Sequence, residues 1–103
     1  MNKQDIVNII AEGTGLTKLE TAAVVDAFLA TVSYALGNGN RVELRRFGTF
    51  QVKDRKAKKA RNPRTGEEVM IPPRKVPFFK PSPEFQKFVQ EQLKANEPEQ
   101  NAS

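Results

Sequence analysis

The sequence predicts an α+β chain: a helical hairpin as base, a three-stranded antiparallel sheet with a long projecting two-stranded β-arm, and a C-terminal helix. Three observations predict it. Apolar residues recur at helical spacing as far as Gly37-Asn38-Gly39 and then switch to strict alternation. From Asp54 the inward apolar side of that alternation disappears while cations accumulate, so the ribbon continues with little core beneath it. Ser82-Pro83 then supplies a cap and a first helical residue ahead of a last apolar stripe.

The first helix starts at Asn2, whose side chain can cap it, with Asp5 favourably placed in the first turn. Ile6, Ile9 and Ile10 form its expected apolar stripe, and Gly13 and Gly15 end it. Thr17-Lys18-Leu19-Glu20 is a capping box that opens a longer helix, with Val25, Phe28, Leu29, Val32 and Leu36 on its inner side. Val42 and Leu44 alternate with Arg41, Glu43 and Arg45; after a tight connection at Arg46-Phe47-Gly48, Phe50 and Val52 alternate with Thr49, Gln51 and Lys53. The arm spans Asp54 to Pro73, with its turn at Asn62-Pro63-Arg64-Thr65-Gly66 and a second limb from Glu67 to Ile71. Val76-Pro77-Phe78-Phe79 rejoins the sheet, Pro77 favouring an edge or a bulge because it cannot donate to a ladder. The last helix turns Phe85, Phe88, Val89 and Leu93 inward. Phe28, Phe47, Phe50, Phe79, Phe85 and Phe88 read as core or interface residues; Phe78 must face opposite Phe79, and the pattern alone does not assign it a role.

A chain of 103 residues makes one domain, expected over 1–94, with a polar tail expected to be disordered over 95–103. A domain this small buries little of its surface, so a second copy would stabilise it. The absence of cysteine and histidine excludes disulfides and thiolate zinc sites and removes the usual general base. Asp54, Glu67 and Glu68 lie among many cations and read as charge balance, so no catalytic residue, metal site, cofactor or small-molecule substrate is assigned. The N-terminus lacks a signal-peptide pattern and no apolar run approaches the roughly 18 residues of a membrane span, so the expectation is a soluble intracellular protein with no membrane partner.

The formal net charge is +5, but its distribution says more. Residues 1–40 carry two Lys against four acids, residues 41–80 thirteen Lys or Arg against four acids, and residues 81–103 two Lys against four acids. All of the excess lies in the middle. Lys53 to Arg64 holds seven cations opposed only by Asp54, a concentration that repels itself until a polyanion neutralises it.

Several of these stretches together resemble the bacterial HU and integration host factor family of histone-like DNA-bending proteins. They are Arg46-Phe47-Gly48-Thr49-Phe50, Arg61-Asn62-Pro63-Arg64-Thr65-Gly66-Glu67-Glu68, Ile71-Pro72 with Lys75-Val76-Pro77, and Phe79-Lys80-Pro81; Met1-Asn2-Lys3 and Leu16-Thr17-Lys18 also match. The likeness covers roughly residues 1–92, and the tip sequence is its most specific part. It implies an intertwined dimer whose paired arms enter the minor groove and bend or wrap double-stranded DNA, organising a bacterial nucleoid in the cytoplasm mostly without strong sequence specificity. It also implies that Pro63 intercalates. A proline is rigid, apolar and without an N–H, so it can enter a base step with little conformational cost.

The resemblance further implies DNA contacts from Lys53, Arg55, Lys56, Lys58, Lys59, Arg61, Asn62 and Arg64 in the arm, and from Arg46, Arg74, Lys75 and Lys80 near its base. Lys3 is a weaker candidate of the same kind. Neither amphipathic helix is basic on its outer face, which disfavours major-groove readout and favours selection by DNA deformability. A homodimer is expected, with a heterodimer of paralogues as the alternative. The chain departs from the family after Pro81, where Gly-Lys is usual and Ser82-Pro83-Glu84 stands here, which removes one flanking cation. Glu91 to Ser103 extends beyond the usual end of the family's third helix.

Overall fold

The structure is a computed structural model and describes residues 1–97. In chain order it contains α1 (Lys3–Thr14), α2 (Lys18–Gly37), β1 (Val42–Leu44), β2 (Gly48–Arg55), β3 (Lys58–Arg61), β4 (Glu68–Ile71), β5 (Arg74–Pro81) and α3 (Pro83–Ala95). The helix therefore continues through Ala95, one residue into the expected tail, and most of that tail, 98–103, lies outside the described residues.

The caps expected of α1 and α2 both form. Asn2 Oδ1 accepts from the Asp5 N–H and the Asp5 carboxylate accepts from the Asn2 N–H, each at 2.9 Å. Thr17 and Glu20 repeat this reciprocal pair at 3.0 Å in both directions. The apolar stripe of α1 differs from expectation. Val7, only 1% exposed, and Ala11 are buried in the helical hairpin, as is Thr21 of α2, whereas Ile6, Ile9 and Ile10 remain open. Residues 7 and 11 satisfy helical spacing as well as 6, 9 and 10 do, and the small Ala11 and Thr21 allow the backbones to approach, so the slimmer stripe takes the helix contact. Phe28 and Leu29 of α2 are also open in the single chain. The expectation about apolar length needs correcting too: the 20-residue α2 reaches a mean hydropathy of 1.4, within the range of a spanning helix. Its alanines and valines form a helix that is apolar on most sides, a composition shared by helices that are covered by protein.

The sheet has the order β1-β2-β5, antiparallel throughout, with Val42 opposite Phe50 and Phe50 opposite Phe79. β5 is an edge, as Pro77 requires. On the inner face Phe79 lies between Phe50, at 4.7 Å between ring centroids, and Phe47, at 5.2 Å, while Phe85 stacks on Phe47 at 4.7 Å. Gly48 is buried beneath this cluster, where a Cβ would lie 2.5 Å from the Phe79 ring, so only glycine lets β2 and β5 close. Ser82 Oγ accepts from the Phe85 N–H at 3.1 Å and starts α3. Of the residues expected inward on α3, only Phe85 is half-buried; Phe88 (61% exposed), Val89 and Leu93 stay open, because α3 reaches past the sheet that Phe85 packs upon.

The β2–β5 ladder runs out to Arg55 opposite Arg74, so Asp54 and Arg55 belong to the body sheet and not, as expected, to the arm. Lys56-Ala57 and Pro72-Pro73 then break the pairing before a separate two-stranded sheet, β3 with β4, forms the distal arm. The radius of gyration is 19.7 Å. A compact domain of this length has about 13 Å, so the arm stands away from the body.

Candidate nucleic-acid interface

Strand alternation sorts the predicted cations. Thr49, Gln51, Lys53 and Arg55 of β2 share one face with Arg74, Val76, Phe78 and Lys80 of β5, and this is the face opposite the phenylalanine cluster. Lys53 Nζ lies 3.7 Å from the centroid of the Phe78 ring, so Phe78, unassigned from sequence, sits at the centre of a basic surface and holds a cation over its π-face. At the root of the arm Arg55, Lys56, Lys58 and Arg74 surround an open hollow of about 560 Å³. None of these four forms an ion pair among the described residues. Four unpaired cations around one hollow are a demand for anions.

A second hollow, about 430 Å³, lies where the β1–β2 turn meets the start of α3 and brings Arg46 and Lys80 together with Arg41, Arg45 and Ser82. Arg46 is held there by a turn in which the Phe47 N–H donates to Leu44 O at 2.9 Å, with Arg46 itself at φ 67°. Arg41 and Arg45 were not among the predicted contacts; Arg45 shares the turn with Arg46, the signal that could have found it, whereas Arg41 precedes β1. Arg41 is paired at 2.7 Å with Glu43, which also lines the hollow, so Arg45 is the added cation that offsets the charge missing at Ser82-Pro83-Glu84.

Pro63 and Arg64 are exposed at the end of the arm, and Asn62 beneath them is half-buried. Lys59 and Arg61 stand on one face of the ribbon with Met70 and Glu68, while Lys58 shares the other with Ala60, Val69 and Ile71. Arg61 donates to Gly66 O at 3.2 Å and lies 3.8 Å from the Glu68 carboxylate.

Two predicted residues stand apart from these clusters. Lys75 is on the inner face, directly opposite Asp54 and paired with it at 2.9 Å. Lys3, at the start of α1, pairs with Asp26 of α2 at 2.7 Å. No group of three His, Cys, Asp or Glu side chains that could hold a metal occurs among the described residues.

The model of a family described as bacterial DNA-binding protein matches residues 1–90. The chain belongs to that family. Among curated members, the DNA-binding protein HU of Streptococcus mutans is 52% identical over 79 residues, 77% of this chain and 87% of that protein. The HU protein of Geobacillus stearothermophilus is 48% identical over 81 residues, 79% of this chain and 90% of the other. Among solved structures, the Anabaena HU–DNA cocrystal structure superposes with a TM-score of 0.82 at 39% identity, covering 86% of this chain and 97% of that one. This bacterial DNA-binding protein thus shares its fold with that relative over most of both chains.

Proposed function

We propose that the protein acts as a homodimer whose two arms follow the minor groove and bend or wrap duplex DNA, each Pro63 entering a base step. The observation that carries this reading is the arm: a ribbon without a core of its own, standing off the body, with an exposed proline at its apex between Arg61 and Arg64. Such a wedge unstacks a base step at a cost of a few kcal/mol, offset by the phosphates the bent duplex brings to the protein, as described for minor-groove architectural proteins with HU among them. The cations Lys56, Lys58, Lys59, Arg61 and Arg64 of the arm, with Lys53, Arg55, Arg74 and Lys80 of the sheet beneath it and Arg46 on the flank, supply those contacts. Lys3 and Lys75 join by exchanging Asp26 and Asp54 for phosphate, a near-neutral exchange because exposed ion pairs are worth about 0–1 kcal/mol.

With no base-reading helix, the protein selects DNA by deformability, and its role is architectural and not enzymatic. Its place is the cytoplasmic nucleoid. Fluorescence transfer across an end-labelled duplex tests the wedge: Pro63→Ala should lose most of the bending while affinity falls less, with a salt slope of about −0.9 per phosphate contacted retained. Full bending by Pro63→Ala would reduce Pro63 to a turn former. Competition with duplex RNA tests the groove, since the shallow minor groove of A-form RNA gives a wedge little purchase.

A further inference from the structure

The loop that carries Pro63 is built as a single helical turn. Asn62 Oδ1 accepts from the Arg64 N–H at 2.9 Å, Asn62 O accepts from the Gly66 N–H at 2.8 Å, and the Asn62 N–H donates to Glu67 O at 2.8 Å. Asn62 thus stands in the position of a helix cap, Pro63 in that of the first helical residue and Gly66, at φ 74°, in that of the left-handed residue that ends a helix. The residue types are the ones preferred at those three places in full-length helices. Asn62 is half-buried, whereas Pro63 and Arg64 are exposed. Its side-chain oxygen is already engaged within the arm.

From this geometry we infer that Asn62 is a positioning residue: its side-chain oxygen holds the tip turn closed in the free protein and so presents the Pro63 ring in the attitude in which it enters DNA. This rests on the wedge reading above and assigns Asn62 a role that differs from the direct DNA contact expected from sequence. An arm tip that is already closed has no turn left to order when it binds, and preorganisation of this kind appears in affinity. Removing a cap side chain shifts the open–closed equilibrium of the turn about fivefold towards open, so Asn62→Ala should raise the half-saturation concentration for a nicked duplex by at most about that factor.

Asn62→Ala, Asn62→Asp and Asn62→Ser in the full chain test the inference by two readouts. Amide-proton exchange of Arg64, followed by NMR without DNA, should accelerate about fivefold in Asn62→Ala and return towards the parent rate in Asn62→Asp and Asn62→Ser, which keep an acceptor oxygen. Bending of the nicked duplex by fluorescence transfer should fall in Asn62→Ala and recover in Asn62→Ser. An Arg64 amide unaffected by Asn62→Ala would overturn the inference, as would equal bending losses in all three variants, because a side chain that touches DNA through its amide NH₂ is not replaced by a hydroxyl. Failure of the wedge reading looks different: Pro63→Ala would then bend fully, whatever the Arg64 amide does.

Discussion

Arg46 and Gly48 show how closely this surface is set by single residues. Arg46 occupies the left-handed region, where a side chain costs about 1–2 kcal/mol, at the turn that aims it into the flanking hollow. Arg46→Gly should therefore stabilise the fold by a net amount of about 0.5 kcal/mol, after the larger chain entropy of glycine is subtracted, and should reduce the salt slope of DNA binding by about 1. Urea unfolding and a salt titration read the two effects, and loss of stability would show the turn to be unstrained. Gly48→Ala acts oppositely: its Cβ would meet the Phe79 ring at 2.5 Å and the Lys80 carbonyl at 2.6 Å, costing about 2 kcal/mol in the same unfolding experiment. The Gly48 position was legible as part of a tight connection. The Arg46 conformation was not, because Leu-Arg-Arg-Phe contains neither the glycine nor the asparagine that usually announces a positive φ.

At the scale of elements, capping was the most legible feature, since Asn2, Thr17-x-x-Glu20 and Ser82-Pro83 each form the cap their chemistry specifies. Which side of each helix is covered was less legible. Spacing identifies an apolar stripe but not the neighbour it meets, so Val7 and Ala11 replaced Ile6, Ile9 and Ile10 at the α1–α2 contact. Strand alternation separated Lys75 from the cations of the outer face only once the register opposite Asp54 was known. The α2 cap also carries a pH dependence. Hydrogen bonds from Thr17, backbone first and hydroxyl second, hold the Glu20 carboxyl below its ordinary pKa. A depressed carboxylate contributes stability above its unfolded-state pKa, and that contribution disappears as pH falls through the folded value. Glu20→Gln should therefore flatten the acid limb of the stability curve below about pH 5, measured by thermal melts at stepped pH. An unchanged acid limb would mean that the cap does not couple to folding.

For the whole molecule, the uncovered stripes on α1, α2 and α3 matter more than any single contact. A chain that leaves Ile9, Leu29, Phe88 and Leu93 open has not completed its core, which is what pairing with a second copy would do. Its melting temperature should then rise with protein concentration, and Phe88→Glu should abolish that dependence and lower the midpoint, as calorimetry and sedimentation would report. A concentration-independent, monomeric parent would contradict the pairing. Sequence reading reached the arm and its cationic root because composition changes abruptly there. It could not show that the ribbon from Gly48 to Pro81 is two ladders and not one.

The interruption at Lys56-Ala57 and Pro72-Pro73 makes the finger a jointed one. Two prolines that cannot donate leave the distal ribbon unladdered to its root, so each fingertip can swing while its base stays anchored on the sheet. With the wedges proposed at the two tips, the spacing between a pair of kinks would be a property of the DNA as much as of the protein, and one design would serve sites whose weak points lie at unequal distances.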